Sequence, residues 1–159
     1  KRFPYLLSSL LFTIIISSCS SADNYSYTTA FDKIKGKWTI HEVHMENNKR
    51  ICETDVTSNY EGMTFNFMEG NQLEIFDARE DITLPGVWYL DEVYTWDADD
   101  QENKKSFELY TYVYNPADTS QSRTMTWKDL RVSNNRLFGR ESRYSDDGKS
   151  HKYTYKLKR

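Results

Sequence analysis

The chain holds only three histidines, at positions 41, 44 and 151. A zinc site needs three or four convergent ligands, and residues three apart on a strand point to opposite faces. His41 and His44 are therefore not expected to chelate together, and no metal is predicted. Asp97, Asp99, Gln101, Asn103 and Glu108 fall at calcium-loop positions, but Glu102 stands where the sharp turn requires glycine. A solvated acidic turn is the expectation there. No carboxylate pair has a spacing that sets both groups across one substrate. No Gly-x-Ser-x-Gly, phosphate-binding glycine loop or Cys-x-x-Cys is present. The chain is expected not to be an enzyme and to need no cofactor. What remains chemically useful is an aromatic set: Trp88, Tyr94, Trp96, Tyr110, Tyr112, Trp127, Tyr153 and Tyr155. Such rings join an apolar body to a polar tip. Lining a cup, they would hold a small amphipathic ligand. Displayed outside, they would stack on sugars or meet a partner. Otherwise they fill a core, the reading preferred for Trp38, Tyr153 and Tyr155.

Cys19 owes its interest to what precedes it. Lys1 and Arg2 are positive, Leu6 to Ile16 form an apolar run, and Ser17–Ser18 are small. That order predicts a secretory signal peptide over residues 1–18. The run is shorter than the roughly 20 residues that span a bilayer. A cysteine directly after the small residues resembles the lipobox of bacterial lipoproteins, in the looser form found in Bacteroidota, where Ser17 replaces the usual leucine. The resemblance implies cleavage before Cys19, acylation of that residue, and anchoring to a membrane by acyl chains. Ser20 in place of aspartate implies, by the same resemblance, the outer membrane, on its periplasmic or cell-surface side.

Without residues 1–18 the chain has 141 residues, enough for one core. Losing Lys1 and Arg2 from 21 basic residues leaves 19 against 24 acidic ones, a net charge of −5. Nucleic acid is not an expected partner, since its binders carry basic faces. With Cys19 lipidated, Cys52 has no disulfide partner, and it is expected to behave as a small buried apolar residue.

Twelve tyrosines, eight phenylalanines and four tryptophans suit a pleated, half-buried surface. Residues 19–30 are polar and small and read as a lipidated flexible tether. Phe31–Ile34 reads as a helical turn at the entrance to a domain spanning 31–159. Eight strands are predicted: 37–46, 63–68, 72–77, 87–96, 106–114, 123–132, 136–144 and 151–158. A further short strand is conceivable near Ile51. Glu69–Gly70–Asn71 and Asp146–Asp147–Gly148–Lys149 are hairpin turns. Pro85–Gly86 punctuates the chain before the fourth strand, and 97–104 is a charged loop. In strand 123–132, Met125 and Trp127 share a side with Arg123 and Arg131, whereas Leu130 and Val132 lie on the other. That mixture implies a polar group inside a cavity or a bulge that switches faces. Sequential hairpins of this kind close into an up-and-down barrel or stay open as a sandwich.

The first strand opens Gly36–Lys37–Trp38, and the chain closes with Lys158–Arg159. A Gly-x-Trp on the opening strand with a basic residue after the closing strand resembles the lipocalin, or calycin, barrels. The resemblance covers roughly 31–159 and implies an all-β, eight-stranded antiparallel lipocalin-like barrel. It implies that Gly36, Trp38 and Arg159 close one end, with Lys158 as the alternative cation. It also implies binding of a small hydrophobic or amphipathic ligand, for which Trp88, Tyr94, Trp96, Tyr110, Trp127, Tyr153 and Tyr155 are the candidate residues. The competing expectations are an accessory subunit of an outer-membrane complex and a carbohydrate-binding lipoprotein.

Overall fold

The computed structural model describes residues 26–47, 53–145 and 148–159. The predicted signal peptide, Cys19 and Cys52 lie outside the described residues. A helix, α1 (Tyr27–Ile34), precedes nine strands: β1 (Gly36–Asn47), β2 (Glu53–Asp55), β3 (Thr64–Phe67), β4 (Gln72–Asp77), β5 (Ile82–Asp97), β6 (Glu102–Asn115), β7 (Asp118–Val132), β8 (Arg136–Tyr144) and β9 (Ser150–Lys158). Each strand from β3 onward pairs antiparallel with the next, and β1 pairs with both β3 and β9. Eight strands thus close an up-and-down barrel, and the open sandwich is excluded. The extra strand, β2, pairs with β1 at His44–Glu46, above the stretch Gly36–Thr39 that β3 occupies.

Period-2 alternation decides the inside. Phe107, Leu109, Thr111 and Val113 point inward from β6, while Glu108, Tyr110, Tyr112 and Tyr114 face out. The core runs through Trp38, Val43, Phe65, Phe67, Leu73, Trp88, Leu90, Leu109, Trp127, Leu137, Tyr155 and Leu157, all nearly inaccessible. In β7 the mixed pattern is a bulge that switches faces and turns Arg131 outward. Met125 and Trp127 face inward; the register then shifts between Lys128 and Arg131, with Asp129 at φ 51°, and Leu130 and Val132 return to the core.

Four boundaries differ from expectation, one of them the start of β7, at Asp118 rather than 123. The helix starts at Tyr27, inside the span assigned to the tether, because Ser26 caps it by accepting a hydrogen bond from Thr29 N at 3.2 Å. Its Ala30 and Ile34 are fully buried, so it belongs to the barrel. Pro85–Gly86 lie within β5 rather than before it. The ladder to β6 begins only at Gly86, so the proline falls where that pairing has not started. The charged loop shrinks to 98–101, since β5 and β6 stay paired out to Asp97↔Glu102. There the Asp97 carboxylate accepts from Asp99 N at 2.9 Å and meets Lys104 at 2.7 Å.

Candidate functional site

The end of the barrel where β1 begins is sealed. Arg159 lies across Trp38, its guanidinium carbon 4.4 Å from the indole centroid. The same guanidinium donates to the carbonyls of Lys33 at 2.7 Å and Asn134 at 3.3 Å, and to that of Lys35. It thereby ties the last turn of α1 and the β7–β8 turn to the chain's final residue. Gly36 sits directly beneath at φ 115°, a conformation that disfavours any side chain. Trp38 Nε1 donates to Ile34 O at 2.6 Å. The predicted set of Gly36, Trp38 and Arg159 is thus assembled in one place. Lys158, the alternative cation, points outward and meets His41 Nε2 at 2.7 Å. The helix completes the seal: Phe31 stacks on Trp88 at 4.7 Å, and Tyr27 donates to Leu90 O at 3.2 Å.

The middle is packed solid. Trp127 stacks on Tyr155 at 5.2 Å and meets Phe65 edge-on at 5.2 Å. Beside them, Glu141 is buried with three donors. Arg143 reaches it at 2.8 and 2.9 Å, and the Tyr155 hydroxyl at 3.0 Å. Arg143 also donates to the Tyr60 hydroxyl at 3.1 Å, drawing the 57–60 turn over this side of the barrel. Burial pushes the Tyr155 hydroxyl well above the ordinary tyrosine pKa, and the neighbouring Glu141 carboxylate raises it further.

The opposite end is open on one side. A cavity of about 420 Å³ lies among the upper ends of β4, β5, β6 and β7. Its walls include Met63, Ile75, Ile82, Leu84, Val113 and Met125, and its rim Asp77, Arg79, Glu80 and Arg123. Asp77 faces inward, accepts from Arg79 N at 3.0 Å and meets the Arg79 guanidinium at 3.5 Å. Arg123 stands opposite Val113, at the inward parity of Met125. Among the described residues no carboxylate pairs with it. Thr111, next inward from Val113 and opposite Met125, keeps a buried hydroxyl without a hydrogen-bond partner, as does Trp127 Nε1. An unmet buried polar group costs about 1–3 kcal/mol.

None of the seven aromatic ligand candidates lines this cavity. Trp88, Trp127 and Tyr155 are spent on the core. Tyr153 stacks on Tyr155 at 6.3 Å and lies 4.9 Å beneath Arg143. Tyr110 is on the outer wall, where its hydrogen bond to Glu108 at 2.6 Å pushes its pKa up to about 12. Tyr94 and Trp96 continue the inward row of Trp88 and Leu90, but the β5–β6 hairpin runs on past α1, and both rings are largely exposed.

His41 and His44 do not point to opposite faces, as strand parity alone would have them do. The β1 register shifts between Ile40 and Glu42, which puts His41, Glu42 and His44 all on the outer wall. Both imidazoles then stand 3.4 Å from the Glu42 carboxylate. Lys156, at 2.6 Å, holds that carboxylate below the usual glutamate range, helped by His44. Among the described residues no three His, Cys, Asp or Glu side chains converge as a metal site.

The mouth residues were missed because each is unremarkable by type. Their common signal is position, as the last inward members of alternating rows. Arg123 and Arg131 both showed a charge in phase with Met125 and Trp127, and only the bulge between Lys128 and Arg131 separates the mouth residue from the outer-wall one. Comparison with protein-family models, with curated proteins and with solved structures finds no match for this chain.

Proposed function

We propose that this protein is a membrane-anchored, lipocalin-like lipoprotein that holds a small amphipathic molecule at the open mouth of its barrel without transforming it. The carrying observation is the 420 Å³ mouth cavity, apolar in its walls and charged at its rim, opposite an end closed by Arg159, Trp38 and α1. That polarity suits a molecule with an apolar body and an ionic head. The solid middle limits the guest to something small. The kinship with lipocalins rests on the barrel with its Gly36–Trp38–Arg159 closure, and the anchoring on the order of residues before Cys19.

Titrating the protein with lipids, bile-acid-like compounds and aromatic amphiphiles, followed by tryptophan fluorescence, should give saturable quenching for at least one class. Leu84→Trp, which fills the cavity, should abolish it while the barrel stays folded by circular dichroism. A screen with no binder, or binding unchanged in Leu84→Trp, would reject the mouth as the site.

A second reading has its own observation. Val87, Tyr89, Tyr112 and Tyr114 are all exposed on the outer face of β5 and β6, with Val87 directly opposite Tyr112. This face would serve an accessory subunit of an outer-membrane assembly or stack on sugar rings. Stoichiometric co-purification of a partner from solubilised membranes, lost in a Tyr89→Ser/Tyr112→Ser variant, would favour the first. Retardation on polysaccharide gels would favour the second.

A further inference from the structure

Although the chain is acidic overall, the outer wall formed by β7, β8 and β9 is strongly basic. Cross-strand pairing sets its cations in rows: Arg131 beside Phe138 beside Lys156, and Arg136 beside Lys158. Lys128 and Arg140 form the row next to them. A groove of about 540 Å³ runs along this wall, lined by His41, Arg131, Arg136, Phe138, Lys156 and Lys158, with Glu42 as its one carboxylate. Glu42 is already held by Lys156 at 2.6 Å. Lys128 and Arg140 have acidic neighbours, Glu108 and Asp129, each at 3.4 Å. Among the described residues, Arg131, Arg136 and Lys158 pair with no carboxylate. Lys158 donates instead to His41 Nε2, a bond that leaves its positive charge without a counter-charge. The guanidiniums of Arg131 and Arg140 both approach the Phe138 ring at 5.5 Å. Like charges gathered without counter-charge repel one another, and an anion removes that repulsion.

We infer that this groove binds the phosphate of an anionic lipid headgroup and lays the β7–β9 wall against the membrane surface. Two guanidinium forks and two ammonium groups suit a group with several charged oxygens, which each fork can engage through two bonds. Preference for a lipid over a free phosphate comes from where the groove lies. Its lower edge, Ser133, Arg136 and Lys158, is at the sealed end of the barrel, where Arg159 joins the β7–β8 turn to the end of α1. The chain between Cys19 and Ser26 spans seven residues, at most about 25 Å when extended. This step rests on the proposed lipid anchor, which would hold the groove within reach of the headgroups. It does not depend on what occupies the mouth.

The test is flotation of the full chain with vesicles of phosphatidylcholine alone and of phosphatidylcholine with phosphatidylglycerol. Association with the neutral vesicles reports on acyl or apolar anchoring, so its absence would count against the anchor and not against the groove. The readout for the groove is the excess bound to the anionic vesicles. That excess should fall about tenfold or more in Arg131→Gln/Lys158→Gln, from the usual contribution of a basic residue near an anionic surface. It should fall less in Lys37→Gln/Lys104→Gln, which removes the same charge from β1 and β6, off this wall. It should also fade as salt rises. No excess, or equal losses in the two variants, would overturn the inference. Saturable binding of glycerol phosphate in solution, without any anionic-vesicle excess, would overturn the lipid assignment.

Discussion

Gly139 of β8 faces Trp127 of β7 so closely that a β-carbon added to the glycine would lie 2.8 Å from the Trp127 β-carbon. The indole occupies the space a side chain would have taken, and this lets it stack on Tyr155 across the middle of the barrel. Gly139→Ala should therefore destabilise the protein by about 1–3 kcal/mol, the usual cost of overpacking. In a Trp127→Ala background, where the γ-carbon and ring are gone and only the β-carbon remains to give way, the same substitution should cost less. Urea denaturation of the single and double variants measures the coupling; independent, additive effects would show that the two positions do not compete for space.

The Arg159–Trp38 closure joins three chain segments through one side chain. Arg159→Ala removes the cation from the indole and frees three carbonyl oxygens, and should cost about 1–3 kcal/mol. Arg159→Lys should restore only part of this, because an ammonium cannot span the same carbonyls while lying flat on the ring. Equal stabilities for the alanine and lysine variants would show that the guanidinium geometry is immaterial.

Tyr155 makes the fold sensitive to alkali. Its folded-state pKa is raised above the ordinary tyrosine value near 10, so the native protein keeps a proton that the unfolded chain releases. The associated stability is complete below about pH 10 and declines as pH climbs above it. Tyr155→Phe should be less stable near neutrality, having left Glu141 with one donor fewer, yet should lose stability less steeply above pH 10. Unfolding free energies measured from pH 8 to 11.5 should show the two curves converging. Parallel curves would mean that Tyr155 ionises as readily folded as unfolded.

At the mouth, Asp77 is engaged by Arg79, whereas Arg123 faces the cavity without an acidic partner among the described residues. The preferred guest should accordingly carry an anionic head. Arg123→Gln should weaken an anionic amphiphile by about tenfold, in line with one charge-assisted hydrogen bond, and leave a neutral analogue of equal size unaffected. Asp77→Asn should not weaken the anionic guest. Calorimetric titration of the matched pair of ligands separates these outcomes.

Strand content was legible because it depends on local order: alternation marks which residues of β6 and β9 face the core. The lower seal was legible only through the lipocalin resemblance, because Trp38 and Arg159 lie far apart in sequence. The β1 bulge was not legible. A register shift between Ile40 and Glu42 arises from pairing with Lys156 and Leu157, far away in sequence, and it reverses the relation between His41 and His44. The fate of Tyr94 and Trp96 was hidden for a similar reason: their alternation is in phase with Trp88, and only the reach of β5 beyond the barrel exposes them.

By itself the amino-acid order determined an all-β chain of sequential hairpins and its inward rows, while the closing set of Gly36, Trp38 and Arg159 was implied by the resemblance to lipocalin barrels. It did so because side-chain direction in a strand follows from a period of two, and turns follow from a few residues with special backbone freedom. Only the tertiary structure decided that Trp127 and Tyr155 fill the centre, that the remaining hollow lies at one side of the mouth, and that scattered arginines and lysines gather on one wall. Those outcomes depend on which strands become neighbours and in what register, a choice made by packing across the whole barrel.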